Sequence, residues 1–250
     1  MAKVTQQPLS ESIWQRGKPL LLRWGPKALL VMTLLFIGHW SWQKTAQLLP
    51  VKQIAVTGVL QQVTGEKLRE VVRPLVKEGF VRTDVIAVRD AVRALPWVST
   101  VTIRRQWPDT LALEVEEQQL LATWGDNALV NQQGELFYPE SFDLPSATPR
   151  FFGIDGMNLR MSESYLGFKE QLLQVGLEIV RLEVTERRAW QMTLSNGIEL
   201  LMGREPQGQH LQRFIKAYSS GLAQRAEQIG RVDLRYSNGF AIRWKESGIG

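Results

Sequence analysis

The sequence predicts an α+β chain in three parts: a single transmembrane helix, then a small β-α-α-β-β module, then a C-terminal mixed β-rich domain. Three observations carry this. Ala28 to Trp42 reads ALLVMTLLFIGHWSW, an apolar run with no Asp, Glu, Lys or Arg and with basic residues ahead of it. Two stretches of helical periodicity follow, bracketed by alternating apolar and polar runs. Beyond Leu120, short alternating runs and turn residues dominate, and one hairpin pattern, Ser-Asn-Gly between alternating arms, occurs twice.

The first element is placed by charge and by tryptophan. Lys3, Arg16, Lys18, Arg23 and Lys27 against Glu11 put five minus one, or +4, of the formal +5 into the first 27 residues. The rest of the chain is nearly neutral, which argues against a nucleic-acid surface and for a topological signal. Trp24 and Trp42 stand 18 residues apart, about 27 Å along a helix, which matches the hydrocarbon thickness and sets an indole at each interface. The expected division is a cytoplasmic tail at 1–23 and a transmembrane helix at 24–46, with some 200 exported residues beyond. A cleaved signal peptide would need small residues where Trp40, Trp42 and Gln43 stand, leaving only Ala46 for that alternative. The chain has no cysteine, which suits export without disulfides.

Residues 51–119 form the next expected unit. Val51 to Val59 alternates as a strand. Leu68, Val71, Val72 and Leu75 fall on one helical face, with Pro74 kinking or ending that helix. Val85, Val88, Val92 and Leu95 share the face of a second helix, capped by Thr83 or Asp84 and stopped by Pro96. Val101 and Ile103, then Leu111, Leu113 and Val115, alternate on either side of a turn at Trp107-Pro108-Asp109. Two amphipathic helices would thus cover one face of a three-stranded sheet.

Residues 120–246 form the third unit. LLATW and ALVNQQGELFY, with Gly134 in the turn, predict short strands. Tyr165, Phe168 and Leu172 predict a helix capped by Ser162, and LEIVRLEV returns to strand. Leu211, Phe214, Ile215, Tyr218, Leu222 and Ile229 share one face of a long helix. In each Ser-Asn-Gly hairpin a three-residue loop ending in a left-handed glycine aligns the apolar residues. That loop sets Leu194 against Ile198, Met192 against Leu200 and Trp190 against Met202, and later Tyr236 against Phe240, Leu234 against Ile242 and Val232 against Trp244. The last strand, Phe240 to Trp244, ends close to the terminus, so its outer edge is open unless an earlier strand returns to it.

A catalytic constellation is not expected. The exported part has one histidine, His210, and no nucleophile motif, metal-ligand spacing or glycine-rich phosphate loop. Glu114, Glu116 and Glu117 read as a solvated strand end. No cofactor, metal or small-molecule substrate is implied.

Several runs, in order along the whole chain, resemble the FtsQ/DivIB family of bacterial cell-division proteins. They are Leu95-Pro96-Trp97-Val98, Arg105-Gln106-Trp107-Pro108-Asp109, Arg187-Arg188-Ala189-Trp190-Gln191, and Val232-Asp233-Leu234-Arg235-Tyr236 through Trp244. The resemblance implies that residues 51–119 are a POTRA domain and that 120–246 are the family's β domain. It implies a noncatalytic, single-pass scaffold of the divisome in the inner membrane at the septum, with its N-terminus cytoplasmic and its bulk periplasmic. It further implies that single-pass proteins of the FtsB and FtsL type dock at Tyr236, Ser237, Gly239, Phe240, Ala241, Ile242, Arg243 and Trp244, with Arg188 in support. The competing expectation is a POTRA-type chaperone or docking protein for exported polypeptides, and a third class is an envelope enzyme.

Overall fold

The computed structural model of the chain describes residues 18–47, 50–142, 144–204 and 208–245, with side chains in the first helix described from Lys27 to Ser41. The rest of the expected tail, Glu246, and the side chains of Trp24 and Trp42 lie outside the described residues. Helix α1 runs Lys18–Gln47. Every large apolar side chain from Leu29 to Ile37 is more than half exposed, all round the helix. Among the described residues no helix is long and apolar enough to cross a membrane.

Contacts divide the chain into two units. One comprises Met1–Thr57, Glu66–Ala91 and Thr102–Glu114, the other Gly58–Gly65, Val92–Val101 and Val115–Gly250. This division is less simple than the linear boundary at residue 119, because Gly58–Gly65 and Val92–Val101 group with the later residues.

The β-α-α-β-β order holds: β1 (Gln53–Thr57), α2 (Gly65–Val72), α3 (Val85–Arg93), β2 (Val98–Gln106) and β3 (Thr110–Glu117). α2 passes at Arg73–Val76 into a 3-10 turn containing Pro74, which supplies no N–H to continue the α pattern. Asp84 caps α3, its carboxylate accepting the N–H groups of Ile86 and Ala87 at 2.9 and 3.2 Å. The three strands run in the order β1-β3-β2, β1 parallel to β3. Leu68, Val72, Phe80, Val88, Leu111 and Leu113 are fully buried.

Nine further strands form one sheet: β4 (Leu120–Trp124), β5 (Ala128–Asn131), β6 (Leu136–Phe137), β7 (Arg150–Phe152), β8 (Ile179–Val184), β9 (Trp190–Leu194), β10 (Glu199–Gly203), β11 (Ile229–Asp233) and β12 (Ala241–Trp244). Their order is β12-β11-β10-β9-β8-β7-β4-β5-β6. Leu182, Met192, Leu200, Val232 and Ile242 align as an apolar row across five strands. Met161, Tyr165, Phe168 and Leu172 of α4 (Asn158–Leu173), and Leu211, Phe214, Ile215 and Tyr218 of α5 (Gly208–Ser219), join that row in one core. The neighbouring row, Arg181, Thr193, Glu199, Arg231 and Arg243, lies on the opposite, polar face.

Two helix expectations need correction. Ser162 is not a cap but lies one turn inside α4, buried, its hydroxyl donating to the Asn158 carbonyl at 2.8 Å. The long helix ends at Ser219, a 3-10 segment covers Leu222–Gln228, and Ile229 is the first residue of β11. Ile229 is fully buried as a strand residue, so an apolar position at helical spacing belongs instead to the next element.

Candidate functional site

The first Ser-Asn-Gly hairpin follows the expected grammar. Gly197 adopts φ +83°, the Leu194 N–H donates to the Ile198 carbonyl at 2.9 Å, and Met192 faces Leu200. A bulge at Met202 sets Trp190 opposite Gly203 instead of Met202.

The second hairpin departs from it. Val232 pairs with Ile242 and Asp233 with Ala241, so β12 is displaced two residues from the expected Val232–Trp244 register. The loop is Leu234 to Phe240, and Gly239 does not take the left-handed conformation. An even slip keeps every side chain on its face, so the alternation is the same in both registers. Tertiary contacts choose between them. The N–H of buried Leu234 donates to the Leu201 carbonyl at 2.9 Å, carrying the chain past the sheet before it turns. Arg235 donates to the Asp233 carboxylate through its backbone N–H at 3.1 Å and its guanidinium at 2.8 Å. Arg213 donates to the Ser237 carbonyl at 2.5 Å. The Arg235 guanidinium holds the Asp233 carboxyl below the usual aspartate range.

β12 is an outermost strand of the nine, and among the described residues no strand pairs with its other side. The Lys245 N–H points inward, donating to the Gln228 carbonyl at 2.7 Å. Antiparallel alternation then turns Ala241 and Arg243 inward to β11, and leaves the N–H and C=O of Ile242 and Trp244 facing outward. Phe240 and Ile242 pack partly against the core. Ala241 and Arg243 are exposed on the polar face. Tyr236 is 55% and Trp244 39% exposed, so neither is a core aromatic. The Arg225 guanidinium lies 4.3 Å over the Trp244 ring, a cation–π contact that holds the indole at the strand end.

Arg188 lies in the β8–β9 turn with φ +59°, its N–H donating to Thr185 at 2.7 Å and its side chain exposed. β9 begins beside the end of β10, β10 ends beside Asp233, and Asp233 faces Ala241, so Arg188 is at the same end of the sheet as the start of β12. That end contains a hollow of about 460 Å³ lined in part by Arg187, Met202, Arg204, His210 and Arg235. The cationic group, three arginines, was not visible in sequence: Arg187 comes from a turn, Arg204 follows a strand end and Arg235 lies in a loop, far apart along the chain. Only the Arg187-Arg188 pair gave a local sign of it.

Glu117 also proves to be more than a solvated strand end. Its carboxylate accepts the N–H groups of Gln61, Gln62 and Val63 at 2.9, 3.0 and 2.7 Å. Among the described residues no group of three or more His, Asp or Glu side chains could hold a metal ion.

Comparison with known proteins places these elements. Residues 122–235 match the family profile described as cell division protein FtsQ/DivIB, C-terminal, and residues 49–118 match POTRA domain, FtsQ-type. The chain is 35% identical over 230 residues to the cell division protein FtsQ of a Thioalkalivibrio species, covering 92% of this chain and 94% of that one. It is 33% identical over 227 residues to that of Vibrio cholerae, covering 88% and 86%. To the Neisseria gonorrhoeae protein it is 32% identical over 241 residues, covering 95% and 97%.

Proposed function

Because this chain belongs to the FtsQ/DivIB family of cell division proteins, a family of divisome scaffolds, we propose that it recruits single-pass division proteins of the FtsB and FtsL type through the open edge of β12. It joins early and late division proteins and acts as a scaffold, not an enzyme. The observation that carries this reading is the outer side of β12, which no strand pairs with among the described residues.

Four outward backbone groups, on Ile242 and Trp244, offer a partner strand roughly 2 to 6 kcal/mol of net hydrogen bonding at about 0.5 to 1.5 kcal/mol each. Association itself costs at least about 4 kcal/mol, so backbone pairing alone leaves the complex weak. Side chains supply the rest. Phe240, Ile242 and Trp244 offer apolar contact on the helix side, Tyr236 stands exposed in the loop, and the hollow near Arg188 suits an acidic partner residue. Both proteins being anchored in one membrane raises their effective concentration further.

The anchor is α1. A helix apolar all round, with every large side chain from Leu29 to Ile37 exposed, is stable only in an apolar surrounding. The excess of basic residues before it orients the N-terminus to the cytoplasm and places the two folded units in the periplasm. The test is photo-crosslinking in living cells from a probe at Ala241, which is exposed at the start of β12. Capture of a small single-pass division protein supports the reading. Capture of varied exported chains favours the chaperone reading, and no capture from a folded, inserted protein rejects both.

A further inference from the structure

One side of α4 meets solvent in a regular pattern. Met161, Tyr165, Phe168 and Leu172 turn into the core, and Gln171 lies beside Gly208 at the start of α5. Leu159, Leu166 and Leu173 recur every seven residues, about two helical turns, and are 53, 44 and 52% exposed. They stand roughly 120° to 160° around the helix from Gln171, so α5 does not cover them. Glu163 and Glu170 are interleaved with the leucines. Both are exposed, and neither has a hydrogen-bond or ion-pair partner among the described residues.

Glu163, Leu166, Gly167 and Glu170 fall at i, i+3, i+4 and i+7, the four corners of the hole into which a neighbouring helix inserts a side chain. Gly167 leaves that hole deep. A Cβ at Gly167 would meet nothing within 4 Å, and its φ is not positive, so the fold itself does not require glycine there, although glycine weakens a helix relative to alanine. We infer that this side of α4 docks an amphipathic α-helix of another polypeptide. That helix inserts a lysine or arginine over Gly167 between Glu163 and Glu170, and sets apolar residues one turn to either side against Leu159, Leu166 and Leu173. A second copy of this chain fits poorly, because antiparallel pairing about the centre of α4 brings Glu163 of each copy against Glu170 of the other, and like charges repel. An anionic bilayer fits poorly too, since carboxylates and not basic residues are interleaved with the leucines. The occupant is therefore a basic amphipathic helix, and its site does not depend on strand addition at β12.

The experiment is fluorescence anisotropy on the full chain in phosphatidylcholine nanodiscs, with empty nanodiscs as the blank. The probe is a fluorescein-labelled, lactam-stapled helical peptide with a lysine at the centre of one face, a leucine one turn to either side, and alanine and glutamine elsewhere. Its counterpart carries glutamate in place of the lysine. The lysine peptide is expected to bind about tenfold more tightly than the glutamate peptide, as two ion pairs give way to two repulsions. The double variant Glu163→Lys/Glu170→Lys is expected to invert that preference. Gly167→Met, which fills the hole with a good helix former, is expected to weaken binding by about tenfold or more while its urea midpoint stays level or rises. Ile242→Pro on β12 is expected to leave binding unchanged. Absence of binding overturns the proposal, and so do equal binding of the two peptides, a preference that survives charge reversal, or full binding by Gly167→Met. Self-association of the parent chain that Gly167→Met abolishes would assign the face to a second copy and overturn it as well.

Discussion

Replacing Ile242 by proline separates partner addition from folding. The Ile242 N–H faces away from β11, so proline at that position removes no ladder bond, and proline is tolerated on an edge strand when its nitrogen faces outward. Ile242 is only partly buried, and trimming its contact costs about 1 to 2 kcal/mol of a fully buried side chain's 1.5 to 3. On the binding side, the lost donor leaves a partner carbonyl unpaired at a cost of about 1 to 3 kcal/mol. That corresponds to roughly 5- to 150-fold in Kd. Arg243→Pro is the mirror case. Its N–H faces Arg231 on β11, so proline there detaches the strand and loses stability and binding together. The assay pairs interferometry, with the exported segment of an FtsB-type partner against the full chain in nanodiscs, and urea denaturation followed by tryptophan fluorescence. Binding of Ile242→Pro within twofold of the parent, with the fold intact, refutes strand addition at this edge.

Three other perturbations test the scaffold around the site. Glu117→Ala removes the acceptor for three successive backbone N–H groups and is expected to cost about 1.5 to 3 kcal/mol in urea denaturation, whereas exposed Glu116→Ala should stay within about 0.5 kcal/mol. Gly58 has φ +138° and an added Cβ would stand 2.1 Å from the Val115 carbonyl oxygen, so Gly58→Ala should lower stability by about 2 to 4 kcal/mol through strain and overpacking. Asp233 titrates below its ordinary value because Arg235 donates to its carboxylate, so its contribution is present above about pH 4 and is lost as pH falls through the lower folded value. Urea midpoints at pH 6 and pH 2.5 should therefore show a smaller acid loss in Asp233→Asn than in the parent.

The two hairpins show where local sequence stops being sufficient. Both carry Ser-Asn-Gly between alternating arms, and alternation assigns each side chain to a face in either register. In the first, Gly197 takes the left-handed turn and Met192 meets Leu200 as the pattern predicts. In the second, pairing of β11 with β10, the Leu234 bond to Leu201 and the Arg213 bond to Ser237 extend the loop and slide β12 by two residues. Those partners are 24 to 33 residues away, beyond any local pattern. Helical periodicity was legible where one face stays buried, as at Leu68 and Val72 or at Val88 and Val92. It misassigned Ile229, where a buried strand residue continues the spacing of a helix that has already ended. The alternation of Phe240 to Trp244 followed from its own residues. The cationic hollow near Arg188 did not, because distance along the sequence conceals proximity at one sheet end.

Amide hydrogen exchange across residues 241–245 of the full chain, with and without the exported segment of an FtsB-type partner, tests the central claim most directly. Strand addition predicts that the amides of Ile242 and Trp244, open in the free protein, gain protection of about tenfold or more on binding. Arg243, already bonded to β11, should change far less. Binding without protection at Ile242 and Trp244 would contradict the account and place the partner elsewhere on the surface.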